Sequence, residues 1–260
     1  MNAAIPARFE HLSQAGLRID LDGLTVLVDP YLSHSVQELD APDLVRQVAI
    51  PYQPDALTTV DWVLITHDHL DHCDPHTLPV VAQASPQAQF IGPEPVRSLL
   101  LRWGIEEERI HAPQSGWQHL GSNLFVTAIP AAHPRIRLGS DKQPVAVGWL
   151  IKRNGKKVYI AGDTSACDEV ITALCAYRQI DTALLPVNED NFFRRRRGII
   201  GNMSIREAFQ LAAEVGIDEV VPVHWDLFEQ NSALPEEMQV IYNSRKWPFR
   251  LIMDPNLIQL

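Results

Sequence analysis

Short apolar runs alternate along this chain with segments of helical periodicity, which is the pattern of a mixed α/β protein. The strands predicted from these runs are residues 17–20, 24–28, 62–65, 89–91, 124–129, 145–151, 157–160, 182–186 and 219–223. Helices are predicted over residues 77–84, 94–103, 169–177 and 204–215, and a last helix and strand over residues 235–253. The chain therefore predicts β-sheets covered by helices.

Turn and capping residues fix several boundaries of these elements. Asp22-Gly23 and Asn154-Gly155 are two-residue hairpin signals, so each predicts that its two flanking strands pair antiparallel. Gly104 follows the predicted helix 94–103 and is expected to end it. Ser204 and Glu207 match the capping box at the start of helix 204–215.

A histidine-rich loop follows the apolar run 62–65. Residues 66–72 read Thr-His-Asp-His-Leu-Asp-His and place His67, His69, Asp71 and His72 within six positions. A buried strand delivers such a loop to a sheet edge, where imidazoles and a carboxylate can converge. Because imidazole nitrogens with carboxylate oxygens suit Zn²⁺, Mn²⁺ or Fe better than Ca²⁺ or Mg²⁺, the loop predicts a transition-metal site.

Three later strands also end in residues that can bind metals. His133 follows the strand 124–129, Asp163 follows the strand 157–160, and His224 directly follows the strand 219–223. Taken singly each is a weak signal, because a histidine or an aspartate after a strand is commonly a hydrogen-bonded loop residue. Their order and their setting behind residues 66–72 predict that all seven side chains meet at one edge.

The composition narrows the class of protein. The chain has 260 residues with 46% hydrophobic positions, and we expect one domain over residues 1–260. No apolar run approaches the roughly 20 residues of a membrane span, and no secretory leader is evident, so we expect no membrane contact and a cytoplasmic location. The net charge of −10 argues against nucleic-acid binding, and three cysteines predict no disulfide framework.

This pattern resembles the metallo-β-lactamase superfamily of metal-dependent hydrolases, whose H-x-H-x-D-H loop, later His, bridging Asp and final His match these positions. The resemblance implies an α/β fold of the αββα type, in which two sheets lie between two helical layers. It implies two divalent ions per chain, Zn²⁺ or Mn²⁺. By family roles His67, His69 and His133 would hold the first ion, Asp71, His72 and His224 the second, and Asp163 would bridge them.

The chemistry implied by the resemblance is hydrolysis. Two ions about 3.5–4 Å apart can share a hydroxide and polarise the carbonyl or phosphoryl group that it attacks. The carboxylate of Asp71 is expected to have a catalytic role as well, because it can pass a proton to the leaving alkoxide.

A finer resemblance is to the L-ascorbate-6-phosphate lactonase subgroup. It is carried by residues 60–66, by residues 90–93 through 103–105, by residues 180–181 through 201–204, and by residues 221–226. The resemblance implies a lactonase that opens a sugar-derived, phosphorylated lactone in the cytoplasm, and it allows a homo-oligomer. A small molecule is thus the expected partner.

A phosphorylated substrate requires a cationic group, and the sequence offers Arg194, Arg195, Arg196 and Arg197 between a strand end and the helix that begins at Ser204. Gly198 and Gly201 flank this run and favour a mobile loop. Asn188 and Asn202 are candidate polar contacts to the substrate. An equally simple interpretation is that the arginines form a solvated surface or an oligomer contact.

Two other functions fit the same ligand set. A phosphodiesterase would use the same metal chemistry, and only the residues of the substrate loop would distinguish it from a lactonase. A non-catalytic sensor of metal or sugar phosphate is the alternative from another class. A metal-free structural role is disfavoured, because clustered carboxylates and imidazoles without a metal would destabilise a buried edge.

Overall fold

A computed structural model describes residues 7–260 and contains two β-sheets that pack face to face between helices. The strands of the first sheet are β1 (Arg8–His11), β2 (Leu17–Leu21), β3 (Leu24–Val28), β4 (Trp62–Leu64), β5 (Gln89–Ile91) and β6 (Ile110–His111). Those of the second are β7 (Gln118–Gly121), β8 (Leu124–Pro130), β9 (Val147–Arg153), β10 (Lys156–Ile160), β11 (Thr182–Pro186), β12 (Glu219–Val223) and β13 (Arg250–Leu251).

The helices lie between these strands along the chain. They are α1 (Ser35–Leu39), α2 (Leu78–Ala84), α3 (Glu94–Arg102), α4 (Asp168–Cys175), α5 (Phe192–Arg196), α6 (Ile205–Val215) and α7 (Pro235–Asn243). Short 3₁₀ turns occur at Pro54–Ala56, Glu107–Arg109, Glu229–Asn231 and Pro255–Leu257. Among the described helices none is long and apolar enough to cross a membrane.

Strand direction explains where the polar strand ends meet. In the first sheet β3, β4, β5 and β6 run parallel, so β3 and β4 end at the same edge. In the second sheet β10, β11 and β12 are parallel, and β8 points the same way because β9 is antiparallel to both β8 and β10. The loops after β4, β8, β10 and β12 therefore emerge on one side of each sheet.

Three apolar layers hold the sheets and helices together. The inner layer joins side chains such as Ile19 of the first sheet to Trp149 of the second. Helices α2 and α3 cover the outer face of the first sheet, where Leu78 and Leu100 pack with Phe90. Helices α4, α6 and α7 cover the second sheet in the same way. Because fully burying one such side chain contributes about 1.5–3 kcal/mol, these layers set the αββα architecture that was predicted.

The local predictions agree with this fold. Both hairpins form, since β2 pairs antiparallel with β3 and β9 with β10. Ser204 caps α6 with the predicted capping box, and Gly104 after α3 has a positive φ of 83°. Strands β1, β6 and β7 and helices α1 and α5 were not predicted. The single domain of residues 1–260 stays a prediction, because residues 1–6 lie outside the described part.

Candidate metal centre

The seven predicted residues converge at one edge of the two packed sheets. The loop after β4, a parallel strand of the first sheet, carries four of them: His67, His69, Asp71 and His72. His133, Asp163 and His224 follow β8, β10 and β12 of the second sheet. Both sheets therefore contribute, which requires the face-to-face packing and not only the local sequence.

A first group of side chains contains His67, His69, His133 and Asp163. Each offers one nitrogen or oxygen atom, and these atoms lie within 4.8 Å of one another. His133 Nε2 is 3.2 Å from His69 Nδ1 and 3.5 Å from Asp163 Oδ2. We call these four residues the first cluster; it has three imidazoles and one carboxylate.

A second group consists of Asp71, His72 and His224, whose nearest ligand atoms also lie within 4.8 Å of one another. Asp71 Oδ2 is 3.3 Å from His224 Nε2 and 3.6 Å from His72 Nε2. We call these three residues the second cluster. His224 has a positive φ of 62°, a conformation that costs energy for a residue other than glycine and that occurs at functional sites.

Asp163 faces both clusters. Its Oδ2 points toward His133, whereas its Oδ1 lies 3.4 Å from His72 Nε2 and 3.1 Å from His224 Nε2. The side chain is almost fully buried. One carboxylate with an oxygen toward each group of imidazoles is the arrangement expected of a bridging ligand.

The two clusters differ in their protonation. Burial lowers the pKa of His67 well below its usual value and that of His133 to about 4, and neighbouring imidazoles act in the same direction. Burial also disfavours the charged form of His72, but the carboxylates of Asp71 and Asp163 outweigh it and raise its pKa well above the usual value. The pKa of His224 is raised for the same reason.

The two carboxyl groups respond in the opposite sense. Burial by itself raises the pKa of Asp163, yet the adjacent imidazoles of His224 and His72 hold it well below the usual value. The pKa of Asp71 is likewise lowered, against its burial, chiefly by His72. Both carboxylates are therefore ionised at neutral pH, which is the form that binds metal ions.

The donor set fits divalent transition metals. His67 Nε2 and Asp163 Oδ1 are buried without a hydrogen-bond partner among the described residues, although such atoms cost free energy unless they are satisfied. Ions held by the two clusters would satisfy both atoms. Imidazole with carboxylate suits Zn²⁺ and Mn²⁺, and the ligand types do not choose between them.

Asp29 supports the site and was missed in the sequence. It follows β3, is fully buried, and its Oδ2 lies 2.7 Å from Nδ1 of His72. It also accepts hydrogen bonds from the backbone N–H of Thr66 at 2.8 Å and from its hydroxyl at 2.6 Å. A carboxylate on one ring nitrogen orients the other toward a metal. The signal was present, since Asp29 is a polar residue at a strand end like the predicted ligands.

The clusters open into a cavity of about 320 Å³. His69, Asp71, Asp163 and His224 form part of its lining. The rest of the wall comes from α1 and the segment after it, the metal loop, the segment after α5 and the loop after β12. Its apolar residues are Val36, Ala41, Leu44, Leu70, Ile199, Ile200 and Phe228, and the polar residues Asp40, Asp68 and Asn231 also line it. Asp71 is therefore both a candidate ligand and accessible to a small molecule.

The four arginines occupy four different environments. Arg197 lines the cavity, and its Nη1 is 3.7 Å from Asp43. Arg194 is half-buried and donates to three backbone carbonyl oxygens, those of Glu189, Gln230 and Ser232, at 2.6, 3.2 and 2.5 Å. Arg195 pairs with Asp190 at 2.6 Å, and Arg196 lines a neighbouring surface depression. Of the four, Arg197 is the one placed to meet a ligand in the cavity.

The segment around the arginines is held by its own contacts. Residues Phe192–Arg196 form α5, with Asn191 as its N-cap, where a mobile loop was predicted. A side chain at Gly201 would come within 2.4 Å of Asp190 Cα, so this glycine serves close packing instead of a hinge. Asn188 and Asn202 are buried, hydrogen bonded to each other at 2.9 Å, and neither lines the cavity.

Comparisons with known proteins agree with this geometry. A family model described as the beta-lactamase superfamily domain matches residues 25–225. The uncharacterized protein Rv0906 of Mycobacterium tuberculosis (strain ATCC 25618 / H37Rv) is 28% identical over 210 residues, which cover 81% of this chain and 56% of the relative. The chain thus spans little more than half of that relative's length.

A second relative has a proposed activity. The probable L-ascorbate-6-phosphate lactonase UlaG of Salmonella paratyphi B (strain ATCC BAA-1250 / SPB7) is 28% identical over 214 residues, covering 77% of this chain and 59% of the relative. Among solved structures, the metallo hydrolase Igni18 of Ignicoccus hospitalis KIN4/I superimposes with a TM-score of 0.71 at 21% identity, covering 96% of each chain. The structural likeness concerns the fold.

Proposed function

The chain belongs to the β-lactamase superfamily, and from this premise we propose that it is a metal-dependent hydrolase that opens a sugar-derived lactone bearing an anionic group such as a phosphate. The observation that carries the proposal is the pair of clusters joined by Asp163 at the base of a cavity that Arg197 lines. The lactonase relative supports the choice of a lactone over other esters.

The proposed ligands are the residues of the two clusters. His67, His69 and His133 would hold one divalent ion, Asp71, His72 and His224 the other, and Asp163 would contact both. Two such ions lower the pKa of water toward neutrality and polarise the carbonyl group of a lactone. No serine or cysteine nucleophile is needed. Cys73, the cysteine next to the metal loop, is buried, and burial raises the pKa of its thiol well above the usual value.

Asp71 has two tasks in this proposal. Its ionised carboxylate belongs to the second cluster, and it also lines the cavity where the substrate binds. The attacking water must lose a proton, which the ionised carboxylate of Asp71 can accept, and the carboxyl group so formed can deliver that proton to the alkoxide left by ring opening. We therefore assign Asp71 both metal binding and proton transfer to the leaving oxygen.

Arg197 sets the preference for an anionic substrate. The cavity lining combines four candidate metal-binding side chains with apolar side chains and the carboxylates of Asp40 and Asp68, and the guanidinium of Arg197 is the group in it suited to a phosphate. The carboxylate of Asp43 lies 3.7 Å from this guanidinium, and both side chains are more than half exposed. A lactone ring would lie along the apolar wall, with its anionic group toward Arg197.

The test is a substrate panel on protein loaded separately with Zn²⁺ and Mn²⁺. The panel contains lactones with and without phosphate and several phosphodiesters, and His67→Ala is the inactive control. We expect lactone turnover that prefers phosphorylated members. Arg197→Ala should raise KM for these members about 10- to 100-fold and change kcat little, since a charge-assisted hydrogen bond contributes about 1.5–3 kcal/mol.

Arg196→Ala is the matched control, because Arg196 is an exposed neighbour outside the cavity. Equal losses in Arg196→Ala and Arg197→Ala would contradict the role given to Arg197. Turnover of phosphodiesters without lactones would replace the lactonase by a phosphodiesterase. Two bound ions and no turnover of any class would favour the sensor.

A further inference from the structure

A glutamine far from the metal loop in sequence reaches the second cluster. Gln14 lies in the turn between β1 and β2 and is 1% exposed. Ser13 and Gln14 both have positive φ values, 77° and 57°. Such values are uncommon for residues with side chains, and they persist where the surroundings enforce them. The contacts made by this turn should therefore explain why its backbone strain persists.

The side chain of Gln14 contacts two residues of the second cluster. Its Nε2 donates to Asp71 Oδ2 at 2.6 Å and lies 3.0 Å from His224 Nε2. The backbone takes part as well, since the N–H of His224 donates to the carbonyl oxygen of Gln14 at 3.0 Å. One residue thus touches the main chain and the ring of His224 and the carboxylate of Asp71.

The turn that presents Gln14 is held from below. The buried guanidinium of Arg46 donates to the hydroxyl of Ser13 at 2.6 Å and to the backbone carbonyl oxygen of Tyr31 at 3.0 Å. The backbone N–H of Leu12 and the carbonyl oxygen of Gly16 close the turn at 2.8 Å. These contacts fix the main chain of Gln14, and the burial of its side chain limits the freedom of the amide to leave Asp71.

We propose that Gln14 is a positioning residue of the second cluster, whose amide N–H fixes the Asp71 carboxylate in the orientation that meets a metal ion. The inference rests on the proposed function in one respect, that the cluster holds an ion. A carboxylate on a short side chain rotates freely unless a donor holds it. A neutral amide supplies the donor and leaves the full negative charge of Asp71 for the metal, which a lysine or arginine would neutralise.

Asp29 and Gln14 support the second cluster from different sides. Asp29 contacts Nδ1 of His72, the nitrogen turned away from the cluster, whereas Gln14 contacts Asp71 Oδ2 and His224 Nε2, the atoms that face the other residues of the cluster. Together the two supports reach all three residues of the second cluster.

The experiment is a stepwise Zn²⁺ titration of metal-free protein against a chromophoric chelator, which needs no substrate. Gln14→Met keeps the length of the side chain and removes the hydrogen bond. We expect it to weaken the second ion about 10- to 100-fold and leave the first unchanged, because partners of metal ligands typically contribute that much. Gln210→Met, an exposed position on α6, is the control and should bind both ions like the unaltered protein.

A second variant separates positioning from direct ligation. Gln14→Glu replaces the donor by a carboxylate beside Asp71, so the proposal predicts weaker binding of the second ion. Tighter binding would overturn it and identify residue 14 as a ligand. Thermal melting of each metal-free variant shows whether the fold is kept, and equal weakening of both ions in a folded Gln14→Met protein would also overturn the proposal. If the unaltered protein binds only one ion, the proposed two-ion function is wrong, and this result is obtained without any Gln14 variant.

Discussion

The two clusters are neighbours that share Asp163, yet the pKa values of their buried histidines are shifted in opposite directions. In the first, burial and adjacent imidazoles lower the pKa values of His67 and His133, so these rings are neutral at pH 7. In the second, the carboxylates of Asp71 and Asp163 raise the pKa values of His72 and His224 in spite of the same burial. The difference arises from the number of carboxylates that face each ring.

This contrast separates the tasks of the clusters. Neutral imidazoles have lone pairs ready for a metal, whereas protonated imidazoles must first lose their protons. Asp29 and Gln14 both contact the second cluster directly, whereas Asp29 reaches His67 of the first cluster only through the hydroxyl of Thr66, which lies 3.0 Å from His67 Nδ1. We infer that the first cluster is prepared by its burial and the second by its hydrogen-bond partners.

The largest effect on metal binding is expected from altering Asp163, the residue that both clusters share. Asp163→Asn keeps the shape but removes the charge from a carboxylate that faces both groups. We expect the affinity for each ion to fall by at least about 100-fold, more than for the loss of a supporting residue, and hydrolysis to fall with it. Metal analysis after gel filtration gives the stoichiometry.

The matched control is Asp168→Asn, an exposed carboxylate on α4 that should bind both ions normally. Loss of one ion only in Asp163→Asn would show that Asp163 belongs to one cluster and does not bridge.

A smaller and selective change is expected from Asp29→Asn. The variant keeps the volume but loses the carboxylate that accepts from His72 Nδ1 and from Thr66. The second ion should bind about 10- to 100-fold more weakly, while binding of the first should change less, since Asp29 reaches His67 only through the hydroxyl of Thr66. Calorimetric titration with Zn²⁺ measures both steps. An equal loss at both steps would place Asp29 in the general stability of the loop and not in the second cluster.

The smallest effect concerns protons. A raised pKa means that His72 and His224 carry protons to higher pH, so an ion entering the second cluster displaces them and its affinity falls as pH falls. Each displaced proton changes the affinity by at most about tenfold per pH unit. His133, with its pKa lowered to about 4, should release none near pH 6.5.

Titration calorimetry at pH 6.5 in buffers of different ionisation enthalpy counts these protons. We expect more protons released with the second ion than with the first. The reverse order would show that the electrostatic contrast between the clusters is wrong.

Much of the site was readable before the fold was known, and the reason is local. A buried strand followed by polar residues delivers those residues to a sheet edge, so the loop 66–72, His133, Asp163 and His224 could be chosen one strand at a time. Asp29 obeys the same rule after β3 and could have been chosen with it. Gln14 could not, because a turn of small polar residues near the start of the chain looks like any connection between strands.

The arginine run shows the other limit. Four consecutive arginines are equivalent as charges, and their sequence cannot tell which one faces a substrate. In the fold Arg194 donates hydrogen bonds to three backbone carbonyl oxygens, and Arg195 pairs with Asp190. Arg197 lines the cavity. The polarity of Asn188 and Asn202 predicts contacts with a substrate. In the fold both side chains are buried and hydrogen bonded to each other.

The sequence by itself determined most of the strands, the two hairpins, the capped helix α6 and the residues able to bind metal, because periodicity, turn chemistry and ligand type are properties of short segments. The tertiary structure decided which of those residues share a cluster, which rings carry protons, and which supports reach them. These depend on distances of a few ångströms between segments up to 210 positions apart, as between Gln14 and His224, and only the packing of the two sheets sets such distances.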